Sequence, residues 1–189
     1  MGNDIRELFG RASDEFGRRV HAVGDDQWDQ PTPCTDWDVH QLVNHLVSET
    51  RWMPHLLAGQ TIEEVGDRYE GDVLGGDPKT VWDESSKDAA AAVNDDGAME
   101  RTVHLSFGDF PGAEYTWQVF TDLLIHGWDL ARGIGADDTL DPELVEACAR
   151  WFDDREELYR GGGAIADRQD VGADADPQTV LLARFGRKR

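Results

Sequence analysis

The chain has 189 residues, with 39 acidic side chains against 18 basic ones and a formal net charge of −21. A surface that negative repels phosphate backbones and anionic lipid headgroups, so nucleic acid and membrane surfaces are excluded as partners. Hydrophobic residues make up 39% of the chain, enough for one real core, yet no run has the length of a membrane span. Met1-Gly2-Asn3-Asp4 lacks the basic-then-apolar layout of a signal peptide, which gives an expectation of cytoplasmic residence. The two cysteines, Cys34 and Cys148, form no spaced set, so neither a disulfide framework nor a cysteine zinc site is expected. The acidic excess fits either adaptation to high salt, where screening relieves self-repulsion, or a genome rich in Asp and Arg codons.

The predicted elements run as follows. Apolar positions at Ile5, Leu8, Phe9, Ala12, Phe16, Val20 and Val23 keep three-and-four spacing, the pattern of an amphipathic helix, which Gly24-Asp25-Asp26 ends. Trp28 through Cys34 carries two prolines and reads as an ordered loop. Thr35 followed by Asp38 has capping-box form and opens a second helix running to about Ala58, with a kink at Pro54 and a stop at Gly59. Thr61 to Glu64 forms a short helical turn within a polar stretch. Asp77-Pro78 starts a third helix from about Lys79 to Val93. Arg101 to Phe107 alternates like a strand, and Gly108 to Gly112 reads as a turn. A fourth helix spans about Glu114 to Gly133, and Asp141-Pro142 caps a fifth from Glu143 to Tyr159. After Gly161-Gly162-Gly163 the tail is acidic up to Pro177, then bears the apolar patch Val180-Leu181-Leu182 and the basic end Arg187-Lys188-Arg189.

Four or five helices with little strand specify an all-α fold, a four-helix bundle with an additional C-terminal helix and a short extended segment. The expected layout is a metal-binding bundle over 1–160 and a tail over 161–189 partly ordered against it.

One stretch carries the chemistry. Thr121-Asp122-Leu123-Leu124-Ile125-His126-Gly127-Trp128-Asp129 sets a carboxylate and an imidazole four residues apart in an apolar run. On a helix, Asp122 and His126 share a face, with Cβ atoms about 5–6 Å apart. His45 sits in a second apolar run, Leu42 to Val47. A carboxylate flanked by Phe120, Leu123 and Leu124 is costly to bury unless it is paired or bound to a metal. Two histidines and one carboxylate from two helices make a three-ligand site with positions left open, as catalytic metals require. Trp52, seven residues after His45, is a candidate apolar wall for a substrate pocket, and His55 a candidate at its mouth. Arg51 and Arg132 are candidates to hold a substrate carboxylate. His40 and His104 read as surface groups, and Cys34 as structural, with no paired base in view.

At these residues the chain resembles a known family. Trp28 through Gly59 (WDQPTPCTDWDVHQLVNHLVSETRWMPHLLAG) and Thr121 through Gly135 (TDLLIHGWDLARGIG) are similar to the N-terminal metal-binding domain of mycothiol-dependent maleylpyruvate isomerase, within the DinB-like superfamily of four-helix bundles. Gly71 to Gly75 and Pro177 to Leu182 match an uncharacterised actinobacterial branch. The resemblance implies His45, Asp122 and His126 as ligands of a divalent metal, zinc first, with nickel, iron or manganese also compatible. Asp122 stands where the isomerase has glutamate. It further implies mycothiol as co-substrate, and a thiol S-transferase or isomerase-like reaction on a small electrophile. The alternatives are a non-catalytic metal-binding or stress-response module and, less in keeping with a helical fold, an iron oxygenase. A homodimer is left open.

Overall fold

The computed structural model describes residues 4–163 and 165–189; Met1, Gly2 and Asn3 of the N-terminal stretch read above lie outside the described residues. The chain divides into two compact units, Met1–Ala136 and Asp137–Arg189.

The first unit is the four-helix bundle. Its helices are α1 (Ile5–Ala22), α2 (Val39–Leu57), α4 (Pro78–Val93) and α5 (Gly112–Ile134), with a single turn, α3 (Ile62–Val65), between α2 and α4. Packing runs around a square, α1 against α5, α5 against α2, α2 against α4 and α4 against α1. Each helix turns inward the apolar positions that its sequence spaces at three and four: Leu8, Phe9, Phe16 and Val20 from α1, Leu42, Leu46 and Met53 from α2, Trp82 and Val93 from α4, and Phe120, Leu123 and Trp128 from α5. Phe16 and Trp82 meet at 4.7 Å between ring centroids in the middle of this core.

The helix ends follow their local chemistry. The start of α2 corrects the sequence reading: the N-cap is Asp38, not Thr35, and Asp38 forms a true capping box with Gln41. The Asp38 carboxylate accepts from the Gln41 N–H at 2.8 Å, while the Gln41 side chain accepts from the Asp38 N–H at 3.0 Å. Glutamine at the third helical position completes such a box, which Thr35 with Asp38 does not. Pro54 lies within α2, yet the helix continues to Leu57. At the far end of α5, Gly135 takes the left-handed conformation (φ 70°). The Ala136 N–H then reaches the Ala131 carbonyl at 2.8 Å, which satisfies a terminal acceptor.

Between α4 and α5 the chain forms a hairpin of β1 (Thr102–Leu105) and β2 (Gly108–Pro111), paired antiparallel with Leu105 opposite Gly108. The segment read as a turn, 108 to 112, is therefore mostly the second strand, and the turn itself is Ser106-Phe107. α5 begins directly after it under tight packing, because a Cβ at Gly112 would collide with the Ala98 carbonyl oxygen and press on Leu57 at 3.1 Å. Gly112→Ala is expected to lower stability by about 1–3 kcal/mol through this overpacking, measured by urea unfolding.

The second unit contains α6 (Pro142–Phe152), α7 (Glu156–Gly161) and α8 (Pro177–Arg184). The single helix expected over 143–159 is thus two helices, interrupted at Asp153 to Arg155. Two consecutive aspartates at a helix C-terminus oppose the macrodipole, which accounts for the break. Phe152 stacks on Phe185 at 4.2 Å, and the Arg184 guanidinium pairs with Glu156 at 2.7 Å. Among the described residues no helix is long and apolar enough to cross a membrane.

Candidate functional site

The facing sides of α2 and α5 bring together His45, Asp122 and His126. Their ligand-type atoms all lie within 4.8 Å of one another. His45 Nε2 stands 3.3 Å from Asp122 Oδ2. Two ligand atoms placed tetrahedrally about a zinc ion at about 2.1 Å lie about 3.4 Å apart, so this separation suits a shared ion. Burial is graded across the set: the side chain of His126 is 10% exposed, His45 26% and Asp122 43%. One side of the site is therefore open while the other is sealed by the bundle.

The sealed side carries a supporting residue that the sequence reading did not single out. Asp129, wholly buried, places Oδ2 3.0 Å from His126 Nδ1. A carboxylate on Nδ1 fixes the ring so that Nε2 is the nitrogen left for a metal, the usual outer partner of a ligating histidine. Asp122, His126 and Asp129 follow one another at four and three residues, so a single face of α5 holds all three.

Trp37 forms the cover. Its ring sits 4.5 Å from the His45 ring and 5.4 Å from the His126 ring, centroid to centroid. It is held there by the turn before α2, in which the Thr32 hydroxyl donates to the carbonyls of Trp37 (2.8 Å) and Cys34 (3.1 Å). The same turn brings the Cys34 sulfur within 4.8 Å of the ligand-type atoms of His126 and Asp129. Cys34 is thus a neighbour of the site rather than a remote structural residue.

Glu49 and Tyr115 extend the polar set. Glu49 is one turn beyond His45 on α2, and Tyr115 two turns before Asp122 on α5. Burial, and then the negative charge of Asp122, push the Glu49 carboxyl above its ordinary value, with His45 opposing. Burial followed by the charges of Glu49 and Asp122 raises the Tyr115 phenol well above its ordinary range, and its hydroxyl is buried without a hydrogen-bond partner. For His45, burial alone would lower the pKa, but the hydrogen bond and charge of Asp122, with Glu49 adding, outweigh it and hold the imidazole above 6.5.

These shifts fix the sign of a pH dependence. Both groups favour their protonated forms in the folded, metal-free protein. Their contribution to stability is complete below their unfolded values of 4.5 and 6.5 and is lost as pH rises through the raised folded values. Metal-free protein is therefore expected to lose stability between about pH 4.5 and the region above 6.5, and Glu49→Gln to flatten the lower part of that slope in denaturant titrations.

A cavity of about 460 Å³ opens beside His45, lined by Trp37, His40, Gln41, Asn44, Ser48 and Tyr69 with Gly71 and Asp72. A second, of about 530 Å³, lies between α2 and α4 and includes Arg51, His55, Tyr69 and Arg101. The sequence-derived pocket candidates divide accordingly. Arg51 and His55 line the second cavity, where Arg51 donates to the Val73 carbonyl and His55 bonds Gln60 and the Tyr69 hydroxyl. Trp52 packs edge-on to Tyr69 at 6.1 Å and lines neither cavity. Arg132 is exposed, lies over the Trp128 ring at 5.7 Å, and also lines neither.

The chain has relatives among known proteins. The chain is 33% identical over 188 residues to two uncharacterised proteins of Mycobacterium tuberculosis, Rv0738 and MT0763, an alignment that covers 94% of this chain and 94% of each relative. In fold it resembles the crystal structures of mycothiol-dependent maleylpyruvate isomerase and of a point mutant of that enzyme. Each has a TM-score of 0.60 at 14% identity, covering 78% of this chain and 67% of the other. The family model described as the mycothiol maleylpyruvate isomerase N-terminal domain matches residues 9–131, a stretch that holds α2 and α4, most of α1 and α5, and His45, Asp122, His126 and Asp129. The chain belongs to the mycothiol maleylpyruvate isomerase N-terminal domain family.

Proposed function

We propose that the protein is a metal-dependent enzyme that uses mycothiol, performing S-transfer or isomerase-like chemistry on a small electrophile, with a divalent ion, zinc first, held by His45, Asp122 and His126. The observation that carries this is the pairing of a three-ligand set with a buried carboxylate behind one of its histidines. A histidine that is merely satisfied in a core needs one partner, whereas His126 has Asp129 on Nδ1 and a second polar set within reach.

When bound, such an ion lowers the pKa of a thiol and holds it as the thiolate at neutral pH. Everything else belongs to the chain. Asp122 supplies one negative charge against the ion, and its short side chain keeps the site close to α5. Asp129 orients His126. Trp37 shields both imidazoles from bulk water, which strengthens electrostatic interactions beneath it. The cavity beside His45 leaves room for the remainder of the thiol and for the electrophile. The buried Tyr115 hydroxyl, two turns before Asp122, stands as a hydrogen-bond donor further along the bundle, and the Glu49 carboxyl, its pKa raised by burial and by the charge of Asp122, lies one turn beyond His45.

The test is to load the protein with zinc, add mycothiol and a panel of electrophiles, and follow free thiol. Consumption faster than the uncatalysed background, lost on chelation and restored by zinc, is the expected outcome. Thiol that disappears at the background rate across the whole panel would overturn the catalytic proposal and leave a metal-binding module.

A further inference from the structure

Building on that proposed thiol chemistry, we infer that the second substrate is an uncharged electrophile, and that the cavity beside His45 discriminates against carboxylate-bearing ones. The basis is a balance of charge. A divalent ion brings two positive charges; Asp122 matches one and the thiolate the other. Any carboxylate on the electrophile must then find its counter-charge in the protein.

The cavity offers none. Among the described residues that line it there is no lysine or arginine, and its one formal charge is the carboxylate of Asp72. His40 cannot supply a free cation, because its Nε2 already faces Asp72 Oδ1 at 3.7 Å. The guanidiniums of Arg51 and Arg101 line the other cavity and are engaged there. Arg51 donates to the Val73 carbonyl, while Arg101 donates to the Leu57 and Asp96 carbonyls and pairs with Asp95 at 3.3 Å. Beyond the site, the net charge of −21 adds a repulsive background. An anion entering the cavity would meet the exposed carboxylate of Asp72, 59% accessible, with no cation in the lining to offset the repulsion, which salt would screen. What the walls do present suits a neutral molecule: the flat ring of Trp37 and the polar groups of Gln41, Ser48 and Tyr69.

The experiment uses two inert isosteres, 3,5-dinitrobenzamide and 3,5-dinitrobenzoate, which share a quenching nitroaromatic ring and differ in one charge. Each is titrated into zinc-loaded, mycothiol-saturated protein while tryptophan fluorescence is followed. The amide is expected to bind at least tenfold more tightly. The gap should narrow as ionic strength rises, and it should narrow in Asp72→Lys. Equal affinity, tighter benzoate binding, or no quenching by either compound overturns the inference. Calorimetry of mycothiol with the zinc-loaded protein separates the two levels. If mycothiol itself fails to bind, the thiol chemistry falls and this inference with it. If mycothiol binds and the benzoate binds as well as the amide, only the charge discrimination falls.

Discussion

His126→Ala is expected to abolish stoichiometric metal. Protein purified without added metal should carry about one ion per chain, and the variant none after the same treatment. The asymmetry of burial makes His126 the proposed ligand whose loss matters most. It is the least exposed of the three, and its ring is already oriented by Asp129. Removing it leaves His45 and Asp122 on the open side, where water competes with both. Asp129→Asn tests the support separately. It preserves the shape, but its amide can turn a donor toward Nδ1, and outer partners of this kind are worth about 10–100-fold in metal affinity. The two variants should therefore differ in kind: no bound metal in the first, and bound metal that exchanges more readily with a chelator in the second. Metal retained at full stoichiometry in His126→Ala would mean that the ion, if any, sits elsewhere.

Phe16→Ala is expected to have the largest effect on stability, about 3–5 kcal/mol, as for other fully buried phenylalanines cut back to alanine. Phe16 has no exposed surface. Its ring packs on Trp82 of α4 and lies where a Cβ on Gly127 of α5 would touch it at 3.8 Å. One side chain from α1 thus joins three of the four bundle helices. Gly127 is the residue after His126, so a cavity here relaxes the backbone that aims the ligand. Thermal unfolding should show a midpoint lower by about 10 °C, and metal affinity should fall although no ligand has been touched. An unchanged midpoint would mean that neighbouring side chains close the gap without cost.

The bundle was legible because its helices are long, amphipathic and punctuated by glycine or by Asp-Pro caps. Errors fell where short-range signals compete. Thr35 and Asp38 each look like a cap, and only the Asp38–Gln41 pair settles which one stops the loop. The acidic end of α6 reads as helix by its apolar spacing, and breaks because two aspartates face the wrong end of the dipole. The clustering of the three proposed ligands could be read because Asp122 and His126 are close in sequence and His45 stands out in an apolar run. Asp129 was missed because a carboxylate three residues after a histidine looks like an ordinary solvated residue until its complete burial is known. Trp37 was missed for a different reason. It precedes its helix, so its place over both histidines depends on the path of a turn fixed by Thr32, which no periodicity reports. Glu49 stands four residues after His45 and so on its face, but a glutamate there reads as an ordinary solvated residue until its partial burial is known. Trp52 and His55 are placed near the site by their spacing from His45, and Arg51 by its charge, but helices widen the gap with each turn, and Arg51 and His55 line the cavity between α2 and α4.

His45 and Asp122 belong to different helices and are separated by 77 positions along the chain. An ion gripped between them would fasten α2 to α5 as a clasp that exists only in the folded molecule. At free metal a thousand times the dissociation constant, such a clasp adds about 4 kcal/mol to the folded state. The supply of metal in the cell would then set how long each copy of the chain survives proteolysis, as well as how many copies are competent for chemistry.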